Sequence, residues 1–194
     1  MTRIRFHQEL DDLKHRILAM AGMAEQAIDL SVQAYAQRDA ALCQRVLNNE
    51  DAINRAEREV DEFAIDLLAM QQPMAIDLRF ILAVIKINAD LERVGDQAVN
   101  IAQRVLNMIE LPPMELPVDI PAMATKVRAM VRDALRSFIE ADTELAKHVL
   151  AGDDEIDRIN REAFSNLSGC MQKRPESAAQ ALDALSVEIG RAHV

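Results

Sequence analysis

Residues 77–104 read DLRFILAVIKINADLERVGDQAVNIAQR, and the pattern of this stretch is the main evidence for the architecture. Steps of three and four residues join a set of positions along it, which is the spacing that places side chains on one face of a helix. The positions predicted to face inward are Leu78, Leu82, Ile85, Ala89, Glu92, Asp96 and Val99. This stripe is apolar until Glu92 and Asp96, which lie one helical turn apart. Because an unpaired buried carboxylate is costly, the pair needs a cation, a proton, hydrogen-bond donors or open water beside it.

The composition indicates an all-α protein. Half of the 194 residues are apolar, but only 3% are aromatic, Trp is absent, and the chain has 5 Gly and 6 Pro. An apolar fraction made mainly of aliphatic residues, with so little Gly and Pro, is typical of helical proteins. A chain of this length buries a sizeable core, either as one large domain or as two small ones.

The formal charge of −10 argues against a nucleic-acid partner, because binding the phosphate backbone requires a basic face. It leaves metal cations and basic patches of other proteins as partners. No membrane insertion is expected, since the longest apolar run, residues 80–87, contains Lys86 and is too short to span a bilayer. The N-terminus has no apolar segment of the signal-peptide kind. We therefore expect a cytoplasmic protein, in which Cys43 and Cys170 are reduced core residues.

Three long helices are predicted before residue 110. The first covers 10–37 and the second covers 40–70, with Asp39 as its N-cap. Pro73 ends the second helix, and the third begins after it and runs to about Asn107. Positions predicted to face inward on the first helix are Leu13, Ile17, Met20, Ala24, Ala27, Leu30 and Ala34. Those on the second helix are Leu42, Val46, Ile53, Val60, Ala64 and Leu67. Short connections between long helices predict an antiparallel three-helix bundle over residues 1–109.

Residues 110–121 contain four of the six prolines and are predicted to be a linker. Helical patterns resume at about Ala122, break around 141–142 and continue to about Lys173. At a constant offset of 103 residues, this second half matches the first at many positions. The matched pairs include Tyr35 with Phe138, Asp39 with Asp142, Leu42 with Leu145, Val46 with Val149, Asp51 with Asp154, Ile53 with Ile156, Arg55 with Arg158 and Glu59 with Glu162. We interpret the chain as a tandem duplication.

The second repeat, residues 122–194, is predicted to be truncated in its third helix. Pro175 corresponds to Pro73 at an offset of 102, so the partner of Glu92 would fall at about the last residue. A short helix over 176–187 stands where a long one was expected. The final residues EIGRAHV, 188–194, resemble a translated sequencing adapter, and we interpret them as non-native.

The second helix carries its own pair of acidic residues one turn apart, Glu57 and Asp61. In a hairpin closed at Pro73, Glu57 lies 16 residues before the turn and Glu92 lies 19 residues after it, so the two pairs fall at nearly the same height. Four carboxylates between two helices form an oxygen-rich site that suits Mg, Mn or Fe. The candidate metal ligands are Glu57, Asp61, Glu92 and Asp96, with Asn100 as a further candidate.

Two alternatives stay open at this point. Acidic pairs at this spacing are common on solvated helix faces, and nearby arginines can neutralise them. The arginines close enough in sequence are Arg55, Arg58, Arg79 and Arg93. Alternatively, the cluster belongs to a metal-dependent enzyme or a metal-storage bundle. The sequence has no Gly-rich phosphate loop or nucleophile elbow, and its four histidines are scattered, so no catalytic residue is assigned. The histidines are His7, His15, His148 and His193.

The motif LERVGDQAVNIAQR, preceded by QQPMAIDLRFILAVIKI, resembles the PhoU family of bacterial phosphate-signalling regulators. The acidic segment DAINRAEREVDE, the QQP turn and the weaker second copy extend this resemblance over nearly the whole chain. The resemblance implies an all-α fold of two tandem antiparallel three-helix bundles, here with the second incomplete. It also implies a regulator and not an enzyme.

The resemblance further implies an adaptor between PstB, the ATPase subunit of the phosphate transporter, and the sensor kinase PhoR. Such an adaptor represses the phosphate regulon when phosphate is ample, and a homodimer is expected. Some PhoU proteins hold multinuclear iron or other metals on acidic motifs, which match Glu57 with Asp61 and Glu92 with Asp96 here. The candidate cofactors are Fe, Mn, Mg or Zn. In the second half Asn160 and Phe164 replace the first acidic pair, so no second metal site is expected.

Overall fold

The computed structural model describes residues 2–113, 117–174 and 178–189, and these ranges contain helices and no strand. The helices are α1 Thr2–Gln37, α2 Ala40–Gln71, α3 Ile76–Ile109, α4 Ile120–Glu140, α5 Thr143–Lys173 and α6 Ala178–Ile189. The predicted all-α class is confirmed, and most predicted helix ends fall within a few residues of the observed ones. None of the described helices is long and apolar enough to cross a bilayer.

Helices α1, α2 and α3 all pack against one another and form the first bundle. All seven positions predicted to face inward on α1 are buried. On α2 the prediction is also confirmed, except that Leu42 is half-buried at the edge of the core. On these two helices the spacing of three and four residues identifies the buried face.

The inward stripe predicted for α3 is wrong. Leu78, Leu82 and Ala89 are exposed, Ile85, Glu92 and Asp96 are half-buried, and only Val99 is buried. The buried stripe runs through Ile81, Val84, Asn88, Leu91, Gly95, Ala98, Ala102 and Val105. Helix α3 packs against α1, α2 and α6, and its buried residues form a band that the predicted stripe only borders. The acidic pair therefore lies at the border of the packed face.

The turns between the first two helices of each half have the same construction. Arg38 and Ala141 end α1 and α4 with positive φ angles of 51° and 54°. The next residue in each case caps the following helix, as predicted for Asp39. The Asp39 carboxylate accepts hydrogen bonds from the amides of Ala41 and Leu42 at 2.8 and 3.3 Å. The Asp142 carboxylate accepts hydrogen bonds from the corresponding amides, those of Glu144 and Leu145, both at 3.0 Å. This repeated turn supports the interpretation of a duplication.

Helices α4, α5 and α6 form the second bundle, and it packs on the first through α4 against α1 and α6 against α3. Arg128 pairs with Asp29, and Arg132 pairs with Glu25 at 3.0 Å, so α4 runs antiparallel to α1. Phe80 of α3 stacks on Phe138 of α4 with 5.2 Å between ring centroids. Helix α6 has 12 residues, against 34 in α3.

One core contains residues of both bundles. The proposed division into residues 1–109, 110–121 and 122–194 therefore stays a prediction. Residues 190–194 lie outside the described part of the chain, so the interpretation of 188–194 as non-native also stays a prediction.

Candidate functional site

Asn88 is the polar residue around which the acidic face of the first bundle is built. It is fully buried, and its Nδ2 donates to the backbone oxygen of Glu57 at 2.8 Å and to Oδ1 of Asp61 at 3.0 Å. These two bonds join α3 to α2. Its Oδ1 is buried without a hydrogen-bond partner. The sequence prediction missed Asn88, although an Asn inside an apolar helical run is a signal of a buried polar contact.

Gly95 brings α2 and α3 together beside this contact. A Cβ atom at position 95 would lie 3.0 Å from Cγ2 and 3.1 Å from Cδ1 of Ile53. Such distances are shorter than ordinary carbon contacts, so Ile53 would have to shift by a few tenths of an ångström to accommodate a side chain here. Gly95 stands between Glu92 and Asp96 in the sequence, and its contact therefore fixes the height at which both carboxylates lie relative to α2.

Glu92 lies near the charges of two other carboxylates of the predicted site. The pKa of Glu92 is raised, first by partial burial and then by the negative charges of Asp96 and Glu57, while Arg93 acts in the opposite direction. A raised carboxyl pKa means that the folded protein resists ionisation of this group. The resulting cost is absent at low pH, where the group is protonated in both the folded and the unfolded chain, grows as the pH rises through the two pKa values, and stays constant above them. Near pH 7, Glu92 therefore weakens the fold.

The fourth carboxylate, Asp61, is held by Asn88 and not by a cation. In the described part of the chain, none of the four carboxylates forms an ion pair, and Arg93 instead lies 3.7 Å from Asp90. The arginines do not neutralise the cluster by direct pairing. Asn100, the further candidate ligand, is exposed.

The donor set is chemically suited to a hard divalent cation, since it offers carboxylate oxygens with uncompensated charge and a raised Glu92 pKa. Over residues 2–113, 117–174 and 178–189, however, no three Asp, Glu, His or Cys side chains converge closely enough to hold one ion. Binding would require side-chain rearrangement. The metal ligands Glu57, Asp61, Glu92 and Asp96 thus stay a prediction.

The second repeat has a different surface at the corresponding place. Asn160 is half-buried, and Phe164 is exposed where Asp61 lies in the first repeat. His7 and His15 are exposed on α1, and His148 is exposed on α5. His193 lies outside the described residues. No described arrangement resembles a nucleophile with its base.

The family model and the relatives that match this chain carry the same name. The family model for the PhoU domain matches residues 17–105 and 120–189. A phosphate-specific transport system accessory protein PhoU homolog of Aquifex aeolicus is 34% identical over 179 residues, covering 92% of this chain and 81% of the relative. The homolog of Pseudomonas putida is 36% identical over 184 residues, covering 93% of this chain and 71% of the relative.

Two solved structures share the fold. The crystal structure of PhoU from Pseudomonas aeruginosa superposes with a TM-score of 0.89 at 33% identity, covering 95% of this chain and 89% of that one. The crystal structure of the phosphate transport system regulatory protein PhoU from Streptococcus pneumoniae gives 0.86 at 25% identity, covering 95% and 87%. The paired three-helix arrangement described above is thus the arrangement of these regulatory proteins.

Proposed function

Since the chain belongs to the PhoU domain family, we propose that it regulates phosphate uptake as an adaptor between the transporter ATPase PstB and the sensor kinase PhoR. The relatives are named accessory or regulatory proteins of phosphate transport, and the chain is not an enzyme. The observation that carries the proposal is the match of sequence and fold over both bundles. Negative regulation of the phosphate regulon, a homodimer and a cytoplasmic location belong to the same proposal.

Capture experiments test the adaptor proposal. The immobilised full chain is expected to retain a purified PstB-type ATPase and the cytoplasmic part of a PhoR-type kinase at micromolar concentrations. An ABC-transporter ATPase for another substrate and an unrelated sensor kinase serve as controls. Failure to retain either cognate partner, with the immobilised protein shown to be folded by circular dichroism, would remove the adaptor proposal.

The acidic cluster supports a second element of the proposal, a divalent metal bound by Glu57, Asp61, Glu92 and Asp96. A bound ion would neutralise the charges that raise the Glu92 pKa and would tie α3 to α2. Fe, Mn, Mg and Zn are the candidates. The ion would have a structural or tuning role, because the relatives are named accessory or regulatory proteins.

Glu92→Gln separates the metal-free and metal-bound cases. Without divalent ions, the variant is expected to melt about 1 °C higher than the parent at pH 7, because the repelled charge is removed. This advantage shrinks on acidification as Glu92 is protonated. With Mn²⁺ at 100 times its Kd, the parent is expected to gain about 2.7 kcal/mol, and the variant much less.

Glu59→Gln is the matched control, because Glu59 is exposed on α2 and takes no part in the cluster. It should melt like the parent with and without Mn²⁺. If Mn²⁺ stabilises the parent and Glu92→Gln equally, or stabilises neither, the ion does not bind at these carboxylates. If Fe²⁺, Mg²⁺ and Zn²⁺ give the same outcome, the metal part of the proposal is wrong and the adaptor part is unaffected.

A further inference from the structure

Exposed apolar side chains are concentrated at one end of the first bundle. In the part of the chain that the structure describes, ten large apolar residues are strongly exposed, and six of them lie between residues 65 and 82. These six are Ile65, Met70, Met74, Ile76, Leu78 and Leu82. A concentration of this kind on a soluble helical bundle indicates a contact surface, whereas scattered single residues would need no explanation.

The outward face of α3 continues this surface along the helix. Arg79, Leu82, Lys86, Ala89 and Arg93 follow one another at steps of three and four residues, and all five are exposed. We call these five residues the α3 outer stripe. The stripe lies opposite the buried face of the same helix. Helix α6 also packs on α3, and its Asp183 lies 3.5 Å from Arg104.

The α3 outer stripe is basic, although the chain carries a formal charge of −10. Among the described residues, Arg79 and Lys86 form no ion pair, and the pair of Arg93 with Asp90 is long and solvent-exposed. The three cations are spaced seven residues apart, which is about 10.5 Å along a helix. A second helix laid along α3 presents its own side chains at the same interval.

The turn before α3 adds an apolar end to the stripe. Met74 and Ile76 are 80% and 78% exposed. They alternate with Ala75, which has a positive φ of 51°, and they follow Gln72, which has a φ of 45°. Two non-glycine residues in this turn have positive φ angles, which are costly for residues with a Cβ atom. Its apolar side chains are therefore presented to solvent by a fixed backbone.

We propose that the α3 outer stripe is the docking surface for an acidic amphipathic helix of a partner protein. Carboxylates of that helix pair with Arg79, Lys86 and Arg93, its apolar side chains cover Leu82 and Ala89, and one of its ends contacts Met74. Opposite charge at matched spacing sets the orientation and speeds association, while the apolar contacts hold the complex. The inference rests on the proposed function, since it gives the adaptor a surface, and it leaves the partner's identity to the experiment.

A designed peptide tests the surface directly. The probe is a fluorescently labelled 21-residue amphipathic helix whose binding face has Glu at every seventh position and Leu between these Glu residues on the same face. A second probe has Lys in place of Glu. The full chain is expected to bind the Glu peptide at least tenfold more tightly than the Lys peptide in fluorescence anisotropy. Arg79→Glu with Lys86→Glu should weaken binding of the Glu peptide at least tenfold.

The control is Arg45→Glu with Arg55→Glu, which makes the same change of charge at exposed positions of α2. It should bind the Glu peptide within twofold of the parent, and circular dichroism should show both double variants folded. Equal weakening by both double variants, or no weakening by Arg79→Glu with Lys86→Glu, overturns the proposal. If the parent binds vesicles of anionic lipid and does not bind the peptide, the proposal is overturned. It is also overturned if the parent self-associates and only the variant Arg79→Glu with Lys86→Glu loses this self-association.

Capture of the PstB-type ATPase and the PhoR-type kinase then separates this inference from the proposed function. Loss of either partner by the stripe variant alone supports both. Capture retained by the stripe variant overturns the surface and leaves the adaptor proposal intact. Absence of capture by the parent removes the adaptor proposal, and the peptide result then decides the surface by itself.

Discussion

Asn88→Asp is expected to lower the free energy of unfolding at pH 7 by about 3 kcal/mol or more. The substitution keeps the size of the side chain but replaces the Nδ2 donor with an oxygen. That oxygen would face the Asp61 carboxylate and the Glu57 carbonyl, which now lie 3.0 and 2.8 Å from Nδ2. Two acceptors would then oppose the new carboxylate inside the core. Urea unfolding followed by circular dichroism measures the loss.

The pH dependence identifies the cause of that loss. Burial and the charge of Asp61 raise the pKa of the new carboxyl above its value in the unfolded chain. The penalty is therefore present at pH 7 and shrinks as the pH falls and the group takes up a proton, which it can share with Asp61. The difference between variant and parent is expected to narrow between pH 7 and pH 5. A constant difference over this range would show that lost packing, and not charge, is responsible.

Asn48→Asp provides the control for this experiment, because Asn48 is exposed on α2. It introduces the same chemical change without burial. Its stability is expected to stay within about 0.5 kcal/mol of the parent at all these pH values. A comparable loss in the control would point to the added negative charge on the whole chain as the cause.

Gly95→Leu is expected to cost about 2–3 kcal/mol, because the new side chain has no space where α2 crosses α3. Even its Cβ would lie 3.0 Å from Cγ2 of Ile53. Ile53→Ala in the same chain should recover part of the loss, since it removes the atoms that collide. A double-mutant cycle in urea measures this coupling, and values for the two substitutions that simply add would contradict the contact.

Gly22→Leu is the matched control for Gly95→Leu. Gly22 lies in α1, and no atom approaches within 4 Å of a Cβ built there. The control substitution is expected to leave stability unchanged or to raise it by up to about 1 kcal/mol, because glycine is a poor helix former. The two glycines thus separate a packing requirement from backbone propensity.

The helices, their order and several of their ends were predictable from the residues alone. Periodicity located α1 and seven of its buried positions, and Asp39 was correctly predicted as an N-cap because its hydrogen bonds are made within the next turn. The family followed from LERVGDQAVNIAQR and the QQP turn. These features are local, so the order of the residues contains all the information that they need.

The packed face of α3 follows from contacts with other helices and not from the pattern within α3. Leu78 and Leu82 are as apolar as Ile81 and Val84, so hydrophobicity alone does not distinguish the exposed stripe from the buried one. The buried face is set by packing against neighbouring helices: Ile53 of α2 approaches Gly95 closely, and the Glu57 carbonyl and the Asp61 carboxylate of α2 accept hydrogen bonds from Nδ2 of Asn88. The partners of those contacts all lie on α2, between 27 and 42 residues away in the sequence (Asp61 from Asn88, Ile53 from Gly95), and no spacing rule within α3 includes them. The same geometry places Glu92 and Asp96 at the border of the core and leaves the α3 outer stripe open to solvent.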